Sequence, residues 1–226
     1  MGQAGRMRVL LFGASGMVGQ GVLRECLRDD RVTSVLAVGR SPVASSHPEL
    51  QQAQVADLFD LTPVADRLAG VDATFFCVGV SSAGMRAAEY RRLTYDLTTS
   101  VAEVVAAQSP GSAFVYVSGA GTSDRSRQNW ARVKAATETA VAALPLRTWF
   151  FRPGYIQPLH GTTSRTRLYA ALYRVTGPLY PVLRRLAPGH VTTTEAVGRA
   201  MIAVAADRWP QQILTNADIN AAAQLS

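Results

Sequence analysis

Short apolar runs alternate with stretches of helical periodicity over the first two thirds of the chain. The run Val9-Leu10-Leu11-Phe12 breaks at Gly13, and apolar Met17, Val18, Val22 and Leu23 then recur at helical spacing. This predicts a buried parallel strand, a tight turn and a helix over about 16–28, closed by Asp29-Asp30. The same alternation continues. Residues 32–40 read as a second strand, 41–52 as a surface loop with two prolines and several serines, and 54–58 as a short third strand ending in a carboxylate. A helix at 62–68 precedes the continuous apolar run Val71-Asp72-Ala73-Thr74-Phe75-Phe76-Cys77-Val78-Gly79-Val80, a central fourth strand. Residues 84–92 are a short helix or loop, and 93–107 a long helix with Leu97, Val101, Val104 and Val105 on one stripe. Strands at 113–118 and 146–151 flank a polar loop and a helix at 129–143.

Six strands alternating with helices imply an α/β fold. The expected architecture is a doubly wound parallel sheet made of two βαβαβ halves. The last third reads differently, and the chain is expected to be one domain with a core at 7–156 and a small C-terminal helical, substrate-side cap at 157–226. Residues 165–186 mix Leu168, Tyr169, Leu172, Tyr173, Leu179, Tyr180 and Leu183 with five arginines, and Gly177-Pro178 splits them into two short helices. A substrate-side cap is the plain reading. A lid over the cofactor crevice, a dimer face or a peripheral membrane contact through 165–186 are the others. Thr194-Glu195 caps a helix to about 206, and 212–215 offers a last strand.

Composition narrows the class. Of 226 residues 48% are hydrophobic and 17% charged, which suits one well-packed domain and excludes disorder. Cys26 and Cys77 have neither CxxC nor metal-ligand spacing and read as buried thiols in a reducing compartment. No signal peptide and no membrane-spanning apolar run is seen, so a cytoplasmic location is expected. The net charge of +7 comes from scattered basic residues without interleaved aromatics, so no nucleic-acid partner is expected. A small-molecule substrate is expected instead, with the protein a monomer or homodimer. His47, His160 and His190 are far apart and give no metal site. There is no G-x-S-x-G nucleophile elbow and no Walker lysine.

The chemistry concentrates at the first turn. Gly13 takes the dihedrals of a sharp bend, Gly16 leaves the backbone bare at the helix N-terminus, and Gly19 lets the helix lie close on the strand. Free N–H groups and the helix dipole at such a turn suit a pyrophosphate. A structural glycine turn is the plain alternative, since Ser15 stands where a middle glycine is usual. At the end of the second strand Gly39-Arg40-Ser41 carries no carboxylate. An arginine there suits a ribose 2′-phosphate, which favours NADP over NAD; a solvated strand-end arginine is the alternative. Asp57 either bonds an adenine amino group or caps the next helix. Cys77-Val78-Gly79 ends the fourth strand in the ligand-binding crevice of such sheets.

Together, Gly13-Ala14-Ser15-Gly16-Met17-Val18-Gly19, Gly39-Arg40, Asp57, Ser118, Trp130 through Lys134 and Arg152-Pro153-Gly154 resemble the atypical short-chain dehydrogenase/reductase superfamily. The nearest branches are the NAD-dependent epimerase/dehydratase, NmrA-like and HIV-Tat-interacting-protein-like members. The resemblance covers about 7–156 and implies a Rossmann-type fold. It also implies a cofactor crevice made by Gly13, Ala14, Ser15, Gly16, Met17, Val18, Arg40, Asp57, Leu58, Cys77, Val78, Gly79, Lys134, Pro153, Gly154, Tyr155 and Ile156.

It further implies that Ser118 orients a substrate oxygen and that Lys134 binds the nicotinamide ribose. The family's catalytic tyrosine, four residues before that lysine, is here Trp130. An indole N–H donates but is neither acid nor base near neutral pH. Lys134 is the single lysine among 23 basic residues, placed where a compact ammonium meets ribose hydroxyls better than a guanidinium fork does. Tyr95, Tyr155 and His160 are the candidate substitute proton donors, of which Tyr155 or His160 could reach the hydride site from the turn at 152–154. Ser118, Lys134 and Tyr155 form the expected catalytic set. The resemblance thus supports two functions: an NADP-dependent oxidoreductase or epimerase-like enzyme on a small organic substrate, or an NADP(H)-sensing regulatory protein without turnover.

Overall fold

The structure is a computed structural model that describes residues 6–162, 185, 188–207 and 209–225. Seven strands form one parallel sheet in the order β3-β2-β1-β4-β5-β6-β9. They are β1 (Met7–Phe12), β2 (Val32–Gly39), β3 (Leu50–Gln54), β4 (Ala73–Phe76), β5 (Ala113–Val117), β6 (Arg147–Phe151) and β9 (Ile213–Leu214). Helices α1 (Met17–Cys26), α2 (Ala87–Arg91), α3 (Leu97–Gln108) and α4 (Asn129–Ala142) connect them, with α5 (Thr194–Ala205) and α6 (Asn216–Ala222) in the last third. The order reverses at β1, so the carboxyl ends of β1 and β4 open the crevice in which such sheets take ligands. The expected doubly wound sheet is present, with β9 added beyond β6 through Phe150 and Phe151.

Alternating side chains divide the core between the two faces of the sheet. Val9 and Leu11 join Val22, Cys26, Val197, Met201, Leu214 and Ile219 on one face. Leu10 and Phe12 join Leu68, Val101, Val105, Phe114 and Val141 on the other. The first face corrects the expected boundary at 156, because α5 and α6 are part of the sheet's own cover rather than of an appendage. α5 lies so close on α1 that a Cβ at Gly21 would sit 2.5 Å from the Thr194 Cβ. Glu25, buried on α1, also takes Arg199 of α5 as an ion-pair partner at 3.2 Å. The helix pair expected within 165–186 lies outside the described residues, position 185 excepted.

Several expected boundaries move. The third strand is Leu50–Gln54 rather than 54–58, so the surface loop stops earlier. Its Gln51, Gln52 and Gln54 hide it from an apolar pattern, since an edge strand pairs on one side only and faces water. β4 stops at Phe76, and Cys77 continues only through its N–H on the Phe12 carbonyl at 3.0 Å. The long helix is interrupted by a π turn at Arg92–Asp96, and α1 ends at Cys26. Beyond β6 a two-stranded parallel sheet forms from β7 (Tyr155–Gln157) and β8 (Val191–Thr193). The α5 cap is Thr193, whose hydroxyl accepts the Ala196 N–H at 3.0 Å, one residue earlier than expected.

Candidate functional site: a dinucleotide crevice

The turn after β1 is shaped by contact. Gly13 has φ +80°, and a Cβ there would stand 2.8 Å from the backbone of Cys77 and Val78. A Cβ at Gly19 would overlap the Gly13 carbonyl at 2.1 Å. Strand, turn and helix therefore approach one another as closely as peptide groups allow. The Gly16 N–H closes the bend on the Gly13 carbonyl at 2.9 Å, and Gln20 Nε2 braces it on the Ser15 carbonyl at 3.0 Å. Gly16 is the N-cap of α1, with no side-chain cap and no acidic residue in the first turn. The opening N–H groups at Met17 and Val18 therefore have no partner within the helix, and the dipole's positive end is exposed to a ligand.

This turn forms one wall of an open cleft of about 420 Å3. Gly13, Ser15, Gly16, Arg40, Leu58, Cys77, Val78 and Gly79 line it, together with Gly39 and Ser41. Of the expected cofactor contacts, Met17 and Val18 offer backbone amides while their side chains pack on the core, as does that of Ala14. Ile156 is buried in the same cluster and contributes no cleft surface. Asp57 lies in a turn beyond β3 and accepts the Phe59 N–H at 3.1 Å; it does not cap the following helical turn, at whose head Asp60 accepts the Thr62 N–H at 3.0 Å. Those Thr62 bonds hold the Asp60 carboxyl below the usual range. Arg40 is exposed at the cleft mouth, with no carboxylate in ion-pair range among the described residues.

A second group of expected residues sits farther along the same carboxyl edge, at β5 and β6. Lys134 Nζ donates to the Ser118 carbonyl at 2.5 Å. Burial pushes the Lys134 ammonium down to about 8, against the nearby Glu138 carboxylate, which raises it. The buried Ser118 hydroxyl meets Thr122 Oγ1 at 3.0 Å, and Thr122 gives its only hydroxyl proton to the Gly119 carbonyl at 2.8 Å. Ser118 therefore donates to Thr122 and keeps its lone pairs for a ligand. Trp130, in the first turn of α4, lays its ring against the Gly121 backbone, 3.4 Å from where a Cβ would stand.

The turn after β6 is tied down from two sides. Glu138 is buried and accepts Arg152 through both carboxylate oxygens, at 3.1 and 2.5 Å. The Pro153 carbonyl accepts the Ala120 N–H at 2.9 Å, and buried Asn216 accepts the Gly154 N–H at 3.0 Å. Tyr155 and His160, the expected proton donors, are each hydrogen-bonded to another side chain. Tyr155 gives its hydroxyl proton to Gln157 Oε1 at 2.7 Å. His160 (φ +55°) shares a 2.9 Å hydrogen bond with Glu195 on α5, and this bond holds the Glu195 carboxyl below its ordinary value. Neither is brought to Lys134 or Ser118 by any of these bonds. Thr122, Glu138 and Asn216 escaped the sequence reading. Only Asn216 left a local signal, next to the Thr215–Asp218 capping box.

A family model described as NAD(P)H-binding matches residues 13–175, which include the glycine turn, the cleft and both later turns. The chain belongs to this NAD(P)H-binding family. The glycine cradle agrees: its bare amides and the absence of any acid at the α1 N-terminus fit the diphosphate of a nicotinamide cofactor. No curated protein sequence matches the chain.

Among solved structures, a short-chain dehydrogenase from Burkholderia cenocepacia in complex with NADP is 16% identical with a TM-score of 0.68. The match covers 98% of this chain and 93% of that one. A double mutant of DesIV, a dTDP-glucose 4,6-dehydratase from Streptomyces venezuelae with NAD and DAU bound, is 18% identical with a TM-score of 0.65, over 96% and 80% of the two chains. WbmH from Bordetella bronchiseptica, in complex with NAD+, is 17% identical with a TM-score of 0.63, over 92% and 74%. At these identities the likeness shows a shared Rossmann-type fold. Among the described residues no helix is long and apolar enough to cross a membrane, and no cluster of His, Cys, Asp and Glu has metal-site geometry.

Proposed function

We propose that the protein binds NADP(H) in the crevice and acts as an oxidoreductase or epimerase-like enzyme on a small organic substrate. The observation that carries this reading is the open cleft walled at one side by the uncapped N-terminus of α1 and at its mouth by the unpaired Arg40. The amides suit the diphosphate. The guanidinium, free of any carboxylate among the described residues, suits a 2′-phosphate and favours NADP over NAD.

When bound, the cofactor supplies or accepts the hydride. The chain's own residues must then hold the substrate oxygen and move its proton. Ser118 presents acceptor lone pairs, so it holds a group that donates, such as a substrate hydroxyl. Lys134 has two N–H bonds beyond the one spent on the Ser118 carbonyl, and with its ammonium at about 8 it can release a proton near neutral pH. Tyr155, with its hydroxyl turned to Gln157, has a weaker claim to the proton step.

The second reading is a cofactor sensor without turnover. It is favoured by Trp130, whose indole offers no acid or base and packs on the Gly121 backbone. Titrating the purified chain with NADPH and following cofactor fluorescence tests both, since each expects saturable binding. Oxidation of bound NADPH by one member of a panel of small carbonyl compounds selects the enzyme, and binding without oxidation across the panel selects the sensor. No binding of NADPH or NADH at millimolar concentration overturns both.

In the enzyme reading, reductive turnover needs the protonated lysine. It should hold below about pH 8 and fall above it. Lys134→Met should abolish that pH dependence along with most of the turnover.

A further inference from the structure

Arg40 and Ser41 begin a loop that leaves β2 at the cleft mouth and returns at β3. One side chain grips its backbone. Gln52 of β3 accepts the Val43 N–H on Oε1 at 2.9 Å, and through Nε2 it donates to the Val43 carbonyl at 3.2 Å and the Ser45 carbonyl at 3.5 Å. A carboxamide carries the donor and acceptor of a peptide group, so Gln52 pairs with Val43 as an adjacent strand would. The side chain is exposed, so packing does not explain its orientation. Val43 meanwhile rests its side chain on the core cluster beneath α1. The loop is therefore pinned two residues beyond Ser41, by an apolar contact on one side and an amide clamp on the other. Gln52 is in turn held in register, opposite Ala37 of β2, with Arg67 reaching its carbonyl at 3.5 Å.

We infer that Gln52 is a positioning residue for cofactor choice: it holds the Arg40–Ser41 turn where a guanidinium and a hydroxyl converge on a ribose 2′-phosphate. The inference rests on the NADP reading above. Arg40 has a long stem and no carboxylate to orient it. With the loop released, both its backbone and its rotamers must be ordered on binding, a cost that falls only on the ligand with the extra phosphate. A residue that merely stabilised the edge strand would weaken both dinucleotides alike.

The test is the dissociation constants of NADPH and NADH for wild type, Gln52→Leu, Arg40→Gln and the double variant, by fluorescence. Gln52→Leu should weaken NADPH about fivefold and leave NADH within about twofold. In the Arg40→Gln background the leucine should have no further effect on NADPH, because the group it positions is gone. Equal weakening of both dinucleotides, or additive effects in the double variant, overturns the inference. If wild type prefers NADPH and Gln52→Leu keeps the full preference, Gln52 loses its role while the NADP reading stands. If wild type binds both dinucleotides equally, the NADP reading falls and the role of Gln52 with it. Gln52→Thr, whose β-branched side chain suits an edge strand but cannot reach Val43, repeats the measurement should the leucine variant fail to fold.

Discussion

At the β1 end of the crevice the groups facing the cleft are peptide N–H groups and glycine backbone. At the β5–β6 end they are side chains whose polar atoms are already engaged. The first end is shaped by approach distances: Gly13 against Cys77 and Val78, and Gly19 against Gly13. It leaves donors unused. At the second end Lys134 is on a carbonyl, Ser118 on Thr122, Arg152 on Glu138 and Gly154 on Asn216. α5 and α6 each have a first-turn N–H satisfied by a side chain, Thr193 and the Thr215–Asp218 box, whereas α1, like α2, α3 and α4, has none. An uncapped helix start forgoes about 1 kcal/mol of local stability, which a bound anion can return. The crevice thus joins a generic anion cradle to a particular set of side chains, and what is distinctive about this chain, Trp130 above all, lies in the second part.

The largest effect should come from the tied end. Glu138 is buried and balances Arg152 through two oxygens, so Glu138→Ala leaves a guanidinium without its counter-charge at the turn that follows β6. A loss of about 3 kcal/mol is expected by denaturant unfolding. A loss below about 1 kcal/mol would mean that the turn is held by its backbone bonds alone, as the β1 turn is.

The open end should respond in the opposite way. Ser15→Asp puts a carboxylate into the cradle lining, beside the α1 N-terminus. The helix dipole favours that charge, so the free protein should melt at the same temperature or slightly higher. A dinucleotide diphosphate would be repelled, and NADPH and NADH should both weaken by about tenfold or more. Undiminished binding would place the diphosphate elsewhere.

The same contrast explains what could be read from the chain before it was folded. The glycine turn, the alternation of strands with helices and the basic end of β2 are local patterns, and each is found where the sequence puts it. β3 was misplaced because an edge strand facing water carries glutamines. The role of α5 was misjudged because the close contact at Gly21 and Gly198 brings together helices far apart in sequence. The partners of Ser118, Lys134 and Tyr155 were unreadable for another reason: those hydrogen bonds depend on rotamers even where the partner is near in sequence, as Thr122 is to Ser118 and Gln157 to Tyr155, while Gly154 with Asn216 is a long-range pair. No spacing rule records those.

That long-range pair gives a smaller test. Asn216→Ala removes the acceptor for the Gly154 N–H, which is exposed enough for water to replace it in part. About 1 kcal/mol of stability should be lost, with any NADPH-to-NADH preference unchanged, since Arg40 follows β2 whereas this turn follows β6.

The finest distinction concerns whether Lys134 is a desolvated ammonium or a solvated one. Its value of about 8 in the folded chain lies below the ordinary lysine value near 10.4 that the unfolded chain recovers. Below pH 8 both states hold the proton, and the folded state bears the cost of enclosing the charge. Between pH 8 and about 10.4 the folded lysine has released its proton and the unfolded one has not, so stability gains with rising pH from this group. Cys26 and Cys77 act in the opposite sense over the same range, because burial pushes both thiols up while the unfolded thiols ionise. Those contributions are common to wild type and Lys134→Met, so the difference between their unfolding free energies isolates the lysine. That difference should move in favour of wild type by up to about 2 kcal/mol as pH rises from 8 to 10. A flat difference would mean an ammonium that never leaves water. The second end of the crevice would then have no group able to release a proton near neutral pH, leaving a cofactor platform and the sensor reading.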